Sequence, residues 1–131
     1  MPKCICIVDD HLNIREMLRY ALTLQGVEVV EAVDGADALE KIVALDIDLF
    51  LIDWLMPNVD GLEMLRRLRA MEAFTETPVV MIIGRDDLEA RNRARELGVL
   101  YWLKKPFRIS ELQRVVENSL YHADSSITLN Q

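Results

Sequence analysis

The sequence predicts an α/β fold in which an open, doubly wound sheet of five parallel strands carries helices on both faces. Short apolar runs alternate five times with segments of helical periodicity, and parallel neighbours require crossover helices between them. The 131 residues suffice for one domain but are too few for an eightfold barrel. We therefore expect one domain over residues 1–121 and a flexible C-terminal tail over residues 122–131.

Each predicted strand is a short apolar run, and each predicted helix has apolar residues three or four positions apart. The first strand covers residues 4–8 (CICIV), and the first helix runs from Leu12 for about four turns to a capping Gly26. The other strands are predicted at 27–33, 47–52, 79–83 and 100–103. The helices that follow them are predicted at 36–45, from Leu62 to Met71, up to about Leu97, and from about Ser110 to Tyr121.

Turn and cap residues separate these elements. Asp34-Gly35 is a turn signal after the second strand, and Pro57, Asn58, Asp60 and Gly61 form a turn-rich loop before the third helix. Asp86 and Asp87 are placed to cap the fourth helix, which Gly98 ends. On the second helix, the residues expected on the buried face are Ala38, Leu39, Ile42 and Val43.

Composition excludes several classes of protein. The formal net charge is −7, so the attraction to phosphate that supplies most non-specific nucleic-acid affinity is absent, and we expect no direct nucleic-acid partner. No apolar run approaches the roughly 20 residues of a membrane-spanning helix. Cys4 and Cys6 lie two apart on one strand and are expected to be reduced, buried side chains. These features together predict a cytoplasmic protein without membrane contact.

Two of the predicted strands end at carboxylates, the first at Asp9 and Asp10 and the third at Asp53. Ligands bind open sheets beyond the carboxyl ends of the strands, where the strand order reverses. With the order 2-1-3-4-5, the three carboxylates would share one crevice with Lys105. Because like charges about 4 Å apart repel by roughly 4 kcal/mol near a dielectric of 20, we expect a cation such as Mg2+ among them. Asp53, on the central strand, is the candidate nucleophile toward phosphorus.

The chain resembles the CheY-like receiver domains of two-component response regulators, which have the flavodoxin-like fold. The matching segments, in order, are IVDD at 7–10, LIDWLMPNVDG at 51–61, PVVMIIG at 78–84 and KKPF at 104–107. They extend over almost all of residues 3–121. The resemblance implies the strand order 2-1-3-4-5. It also implies a phosphorelay in which a sensor histidine kinase, a phosphotransfer protein or a small phosphodonor modifies the domain, which then binds a downstream effector protein.

The resemblance also implies a role for each site residue. Asp53 would accept the phosphoryl group and bind Mg2+. Asp10 would bind the ion directly, Asp9 would bind it through water, and the backbone carbonyl of Leu55 would be a further ligand. Lys105 would contact the phosphoryl group, and the bond that joins it to the following proline is often cis in this family. The domain would act as a monomer or as a phosphorylation-dependent dimer.

The sequence departs from the receiver pattern at Ile83, where the family usually carries Thr or Ser. That hydroxyl normally bonds the phosphoryl group, and a hydrogen bond to a charged group contributes about 1.5–3 kcal/mol. The aromatic residue that commonly moves with it aligns with Trp102. The departure leaves two alternatives open: a phosphorylation switch that is not itself an enzyme, and a degenerate receiver that docks constitutively to a partner.

A third alternative is an enzyme of the haloacid dehalogenase type, which also uses a strand-end aspartate and Mg2+. Such enzymes carry a D-x-D signature on the first strand, whereas this strand ends in Asp9-Asp10-His11. We interpret His11 as an exposed loop residue in preference to a metal ligand.

Overall fold

The computed structural model describes residues 2–56, 60–84 and 88–122. Five strands, β1 to β5, comprise Cys4–Val8, Glu28–Ala32, Leu49–Asp53, Val79–Ile83 and Tyr101–Lys104. Five helices, α1 to α5, comprise Leu12–Leu24, Gly35–Lys41, Gly61–Ala70, Leu88–Glu96 and Ile109–Glu117. Short 3-10 turns at Ile42–Ala44 and Glu72–Phe74 and a π-helical turn at Asn118–His122 follow α2, α3 and α5. Predictions for Pro57, Asn58, Asp86, Asp87 and residues 123–131 lie outside the described residues.

The strands form one parallel sheet in the predicted order β2-β1-β3-β4-β5. The central strand β3 is buried along its whole length, because helices cover both faces of the sheet. The order reverses between β1 and β3, since the chain proceeds outward from β1 to β2 and then returns to the other side. The fold therefore places its switch point between the carboxyl ends of β1 and β3.

Alternate residues along each strand supply two separate cores. On one face, Ile7 and Leu51 pack with side chains of α1 and α5. On the other face, Val8 and Ile52 pack with side chains of α2, α3 and α4. This alternation is the period of two expected of a pleated strand, and burial of the apolar side chains is the main force that holds the layers together.

Two helix ends match their predicted caps, and one helix differs from its prediction. Gly26 and Gly98 have φ values of 77° and 87°, in the left-handed region that glycine occupies without steric cost. Asp34 lies in a bend between β2 and α2, and its carboxylate accepts a hydrogen bond from the Asp37 amide at 2.8 Å and caps α2. Val43 was expected to be buried but is 74% exposed, since the chain tightens there into a 3-10 turn with a different periodicity.

Within the part of the chain that the structure describes, none of the helices is long and apolar enough to cross a lipid bilayer.

Candidate functional site

The switch point of the sheet brings together the four ionisable residues selected from the sequence. Val8 is paired with Ile52 in the β1–β3 register, so Asp9 and Asp53 leave neighbouring strands at the same edge. Lys105 follows β5, and its backbone N–H donates to the Ile83 carbonyl at 2.7 Å. The bond between Lys105 and Pro106 is cis.

The lysine lies between two buried carboxylates. Its Nζ is 3.4 Å from Asp53 Oδ1 and 4.0 Å from Asp9 Oδ2. Asp9 is fully buried and Asp53 is 3% exposed, whereas the side chain of Lys105 is 28% exposed. Among the residues that the structure describes, one ammonium group therefore faces two carboxylates that water reaches poorly. One positive charge cannot balance both negative charges.

Burial is the largest cause of the raised pKa of Asp53, and the charge of Asp9 raises the pKa further. The ammonium group of Lys105 and a hydrogen bond from the Leu55 amide act in the opposite direction and do not cancel the increase. A nearby cation stabilises the ionised form of a carboxylate that burial disfavours. The electrostatics of the crevice thus favour a bound positive charge.

Asp9 provides a direct test of whether the site fits a metal ion. Its Oδ1 accepts a hydrogen bond from the His11 amide at 2.8 Å, but its buried Oδ2 has no hydrogen-bond partner among the described residues. Such an unsatisfied buried oxygen is costly. Ligand atoms from Asp9, Asp10, His11 and Asp53 lie within 4.8 Å of one another. Oxygen-rich groups at this spacing are the ligands that a hard divalent cation such as Mg2+ prefers.

Gly61 holds the loop after β3 close to α3. Its N–H donates to the Trp54 carbonyl at 3.1 Å. A Cβ at this position would lie 2.8 Å from the Asp53 carbonyl oxygen and 3.0 Å from the Trp54 Cα. Both contacts are to backbone, so any side chain would push the end of β3 that carries Asp53 away from the helix.

Ile83, where the sequence departs from the receiver pattern, and the aromatic Trp102 lie together on the α4 side of the sheet. Ile83 is 3% exposed and belongs to the core cluster against which the half-buried Trp102 packs. The guanidinium carbon of Arg91, on α4, lies 5.1 Å from the centroid of the Trp102 ring. Cation–π attraction at this distance holds the ring toward α4. The sequence gives no signal of this contact, because Arg91 lies among both acidic and basic residues, a composition typical of a solvated helix face.

His11 is 61% exposed, as expected of a loop residue, yet it contacts the site. Its Nδ1 lies 3.1 Å from Asp9 Oδ1 and 3.2 Å from Asp10 Oδ1. Its place directly after two strand-end aspartates was the only sequence signal of this contact.

Comparison with known proteins adds an independent line of evidence. The family model of the response regulator receiver domain matches residues 5–117. The phosphate regulon transcriptional regulatory protein PhoB of Pseudomonas aeruginosa is 36% identical over 110 residues, which are 84% of this chain and 48% of that protein. The cyclic di-GMP phosphodiesterase response regulator RpfG of Xanthomonas campestris is 36% identical over 129 residues, which are 97% of this chain and 34% of that protein. The chain thus spans about half or less of these relatives.

Solved structures show the same architecture. The chemotaxis protein CheY4 of Vibrio cholerae superposes with a TM-score of 0.88 at 29% identity, over 92% of this chain and all of that one. NtrX from Brucella abortus gives a TM-score of 0.87 at 29% identity, over 99% of this chain and 29% of that one.

Proposed function

The chain belongs to the response regulator receiver domain family, and from this premise we propose that it is a phosphorylation switch whose phosphoacceptor is Asp53. The observation that supports this most directly is the buried Asp53 carboxylate with the Lys105 ammonium 3.4 Å away. A phosphoryl group on Asp53 would be contacted by that ammonium group. We assign the switch to residues 1–121 and leave residues 122–131 as a tail outside it.

Mg2+ is the cofactor that the acidic ligands suit best. Asp10, Asp53 and the Leu55 carbonyl would hold the ion, and Asp9 would hold it through water. The bound cation supplies charge neutralisation for the phosphoryl oxygens. Asp9 Oδ2, which has no hydrogen-bond partner in residues 2–56, 60–84 and 88–122, supports this assignment, because a metal-bound water would satisfy it.

The chain's own residues then perform two tasks in the transfer. A bond forms between an Asp53 carboxylate oxygen and phosphorus while the bond from phosphorus to the donor breaks, and the donor leaves with that electron pair. Burial of Asp53 keeps bulk water from solvating the nucleophile. Lys105 donates hydrogen bonds to the phosphoryl oxygens as their charge changes, which is stabilisation by a pre-positioned group.

Incubation with acetyl phosphate tests the proposal. With Mg2+ present, the protein is expected to gain the mass of one phosphoryl group, and chelation of the metal with EDTA should prevent the gain. Intact-mass spectrometry followed by borohydride reduction and peptide mapping would locate the acyl phosphate. Absence of any adduct in saturating Mg2+ would refute the proposal.

The proposed switch turns over no external substrate beyond its own phosphorylation and dephosphorylation. The strand end Asp9-Asp10-His11 lacks the D-x-D signature of the haloacid dehalogenase type. Sustained release of phosphate from a stable phosphoester over many turnovers would favour the enzyme instead.

For partners, we propose a sensor histidine kinase or phosphotransfer protein upstream and a protein effector downstream. Each would be reached by protein–protein contact, with no direct nucleic-acid contact, in a cytoplasmic setting. Free thiols at Cys4 and Cys6 are compatible with a reducing compartment. Burial raises the pKa of the Cys6 thiol to about 12, so the reactive thiolate is suppressed.

Ile83 favours a second candidate, a receiver that docks without regard to phosphorylation. Its buried aliphatic side chain, packed in the same cluster as Trp102, offers no hydroxyl to the phosphoryl group. Constitutive docking predicts that partner affinity is the same with and without beryllofluoride, a phosphoryl mimic. A large difference in affinity would reject it.

Replacing Ile83 with threonine is expected to strengthen the switch. The new hydroxyl could bond a phosphoryl group, and a charged hydrogen bond of about 1.5–3 kcal/mol would shift the two-state equilibrium by roughly 10- to 100-fold. Tryptophan fluorescence during a beryllofluoride titration in Mg2+ measures the shift through Trp54 and Trp102. Ile83→Val is the matched control, since it has the shape of threonine without the hydroxyl. Equal responses from the two variants would assign the effect to side-chain size.

A further inference from the structure

We propose that His11 is a ligand of the divalent cation, so that this site binds transition-metal ions such as Co2+ and Mn2+ in preference to Mg2+. The inference rests on the proposed metal site and extends it to a residue outside the three carboxylates. It concerns which ion the site selects.

The position of the imidazole supports direct ligation. Nδ1 lies 3.1 Å from Asp9 Oδ1 and 3.2 Å from Asp10 Oδ1. Neighbouring ligands of an octahedral ion with bonds of 2.0–2.1 Å are about 3 Å apart. Nδ1 and Asp10 Oδ1 are therefore spaced as adjacent ligands of one ion, which Asp9 would bind through water.

A hydrogen bond accounts for these distances less completely. Nδ1 carries at most one hydrogen, yet it lies almost equally far from two carboxylate oxygens. The His11 amide already donates to Asp9 Oδ1 at 2.8 Å, which holds the loop so that the ring faces the site. A cation beside His11 and Asp10 would contact both of these side chains, and one of its waters would contact Asp9.

The second observation is the unsatisfied oxygen of Asp9. Its Oδ2 is buried, and no hydrogen bond reaches it from the part of the chain that the structure describes. The nearest ammonium group, on Lys105, is 4.0 Å away. The cluster thus retains a buried acceptor oxygen that no donor among the described residues satisfies.

The chemistry of imidazole determines the preference. Mg2+ favours oxygen ligands and retains its waters, whereas imidazole nitrogen suits first-row transition metals, whose affinities rise from Mn2+ to Co2+. One nitrogen ligand should therefore increase affinity for Co2+ much more than affinity for Mg2+.

Calorimetric titration with Mg2+ and with Co2+ tests the inference. We expect His11→Ala to lower Co2+ affinity about tenfold or more while Mg2+ affinity changes less than about threefold. His122→Ala, which removes the chain's other histidine, should bind both ions as the unchanged protein does. Retained Mg2+ binding in His11→Ala also shows that the variant is folded.

Pulsed electron paramagnetic resonance of bound Mn2+ provides a second readout. Nitrogen modulation should be present in the unchanged protein and in His122→Ala, and absent from His11→Ala. Mn2+ bound without nitrogen modulation, or equal losses of Co2+ and Mg2+ affinity, would overturn the role of His11 and leave the proposed phosphorylation switch intact. Failure of the unchanged protein to bind any of the three ions would reject both proposals.

Discussion

Asp53→Asn is expected to abolish phosphorylation and to stabilise the metal-free fold. The amide is a far weaker nucleophile than the carboxylate, so no acyl phosphate can form at this position. The same change removes a buried negative charge beside Asp9. Loss of the charge contact with Lys105, which is 3.4 Å away, acts in the opposite direction. We expect a net gain of about 1–2 kcal/mol in the free energy of unfolding near neutral pH.

The sign of the pH dependence follows from the raised pKa of Asp53. An acid whose pKa is higher in the folded state than in the unfolded state favours folding at low pH, and this contribution is lost as pH rises through the folded-state value. The increase in the free energy of unfolding from Asp53→Asn should therefore be larger near neutral pH than in acid. Saturating Mg2+ should reduce this increase, because the ion stabilises the folded protein that retains Asp53 as a ligand.

Denaturant unfolding in EDTA at acidic and neutral pH, together with mass spectrometry after acetyl phosphate treatment, measures both effects. Asp46→Asn is the matched control, because it removes one exposed aspartate from the loop that precedes β3, at the opposite end of that strand. A destabilised Asp53→Asn variant would contradict the electrostatic description of the crevice. A phosphoryl adduct of undiminished yield would show that another residue is the acceptor.

Lys105→Met is expected to slow phosphoryl transfer from acetyl phosphate by about 100- to 1,000-fold, the cost of losing one pre-positioned donor to a developing charge. Methionine retains most of the length of the side chain but has no ammonium group. The loss should appear in the rate of adduct formation at saturating Mg2+, followed by intact mass over time.

Lys104→Met is the control for this variant, because Lys104 is the adjacent residue and is exposed. The Lys104→Met protein should accept the phosphoryl group at the original rate. Comparable slowing in both variants would point to a general effect of positive charge on the approach of the phosphodonor. An unchanged rate in Lys105→Met alone would remove the lysine from the transfer step.

The sheet was predictable because its evidence is local. Buried parallel strands are continuous apolar runs, and the runs at β1 and β4 coincide with Cys4–Val8 and Val79–Ile83. The caps at Gly26 and Gly98 were predictable for the same reason, since a positive φ selects glycine whatever surrounds it. By contrast, the exposure of Val43 depends on how α2 ends, and a helical pattern continues in the sequence after the helix has changed its pitch.

The sequence by itself determined the fold class, the strand-end aspartates and the residues that carry the receiver resemblance, because these depend on residue type and on spacing within one element. Only the tertiary structure decided which groups touch across elements: the Lys105 ammonium between Asp9 and Asp53, and the Arg91 guanidinium over the Trp102 ring. Periodicity sets the direction of a side chain relative to its own strand or helix. The distance to a partner on another element or loop depends on packing, which no local pattern contains.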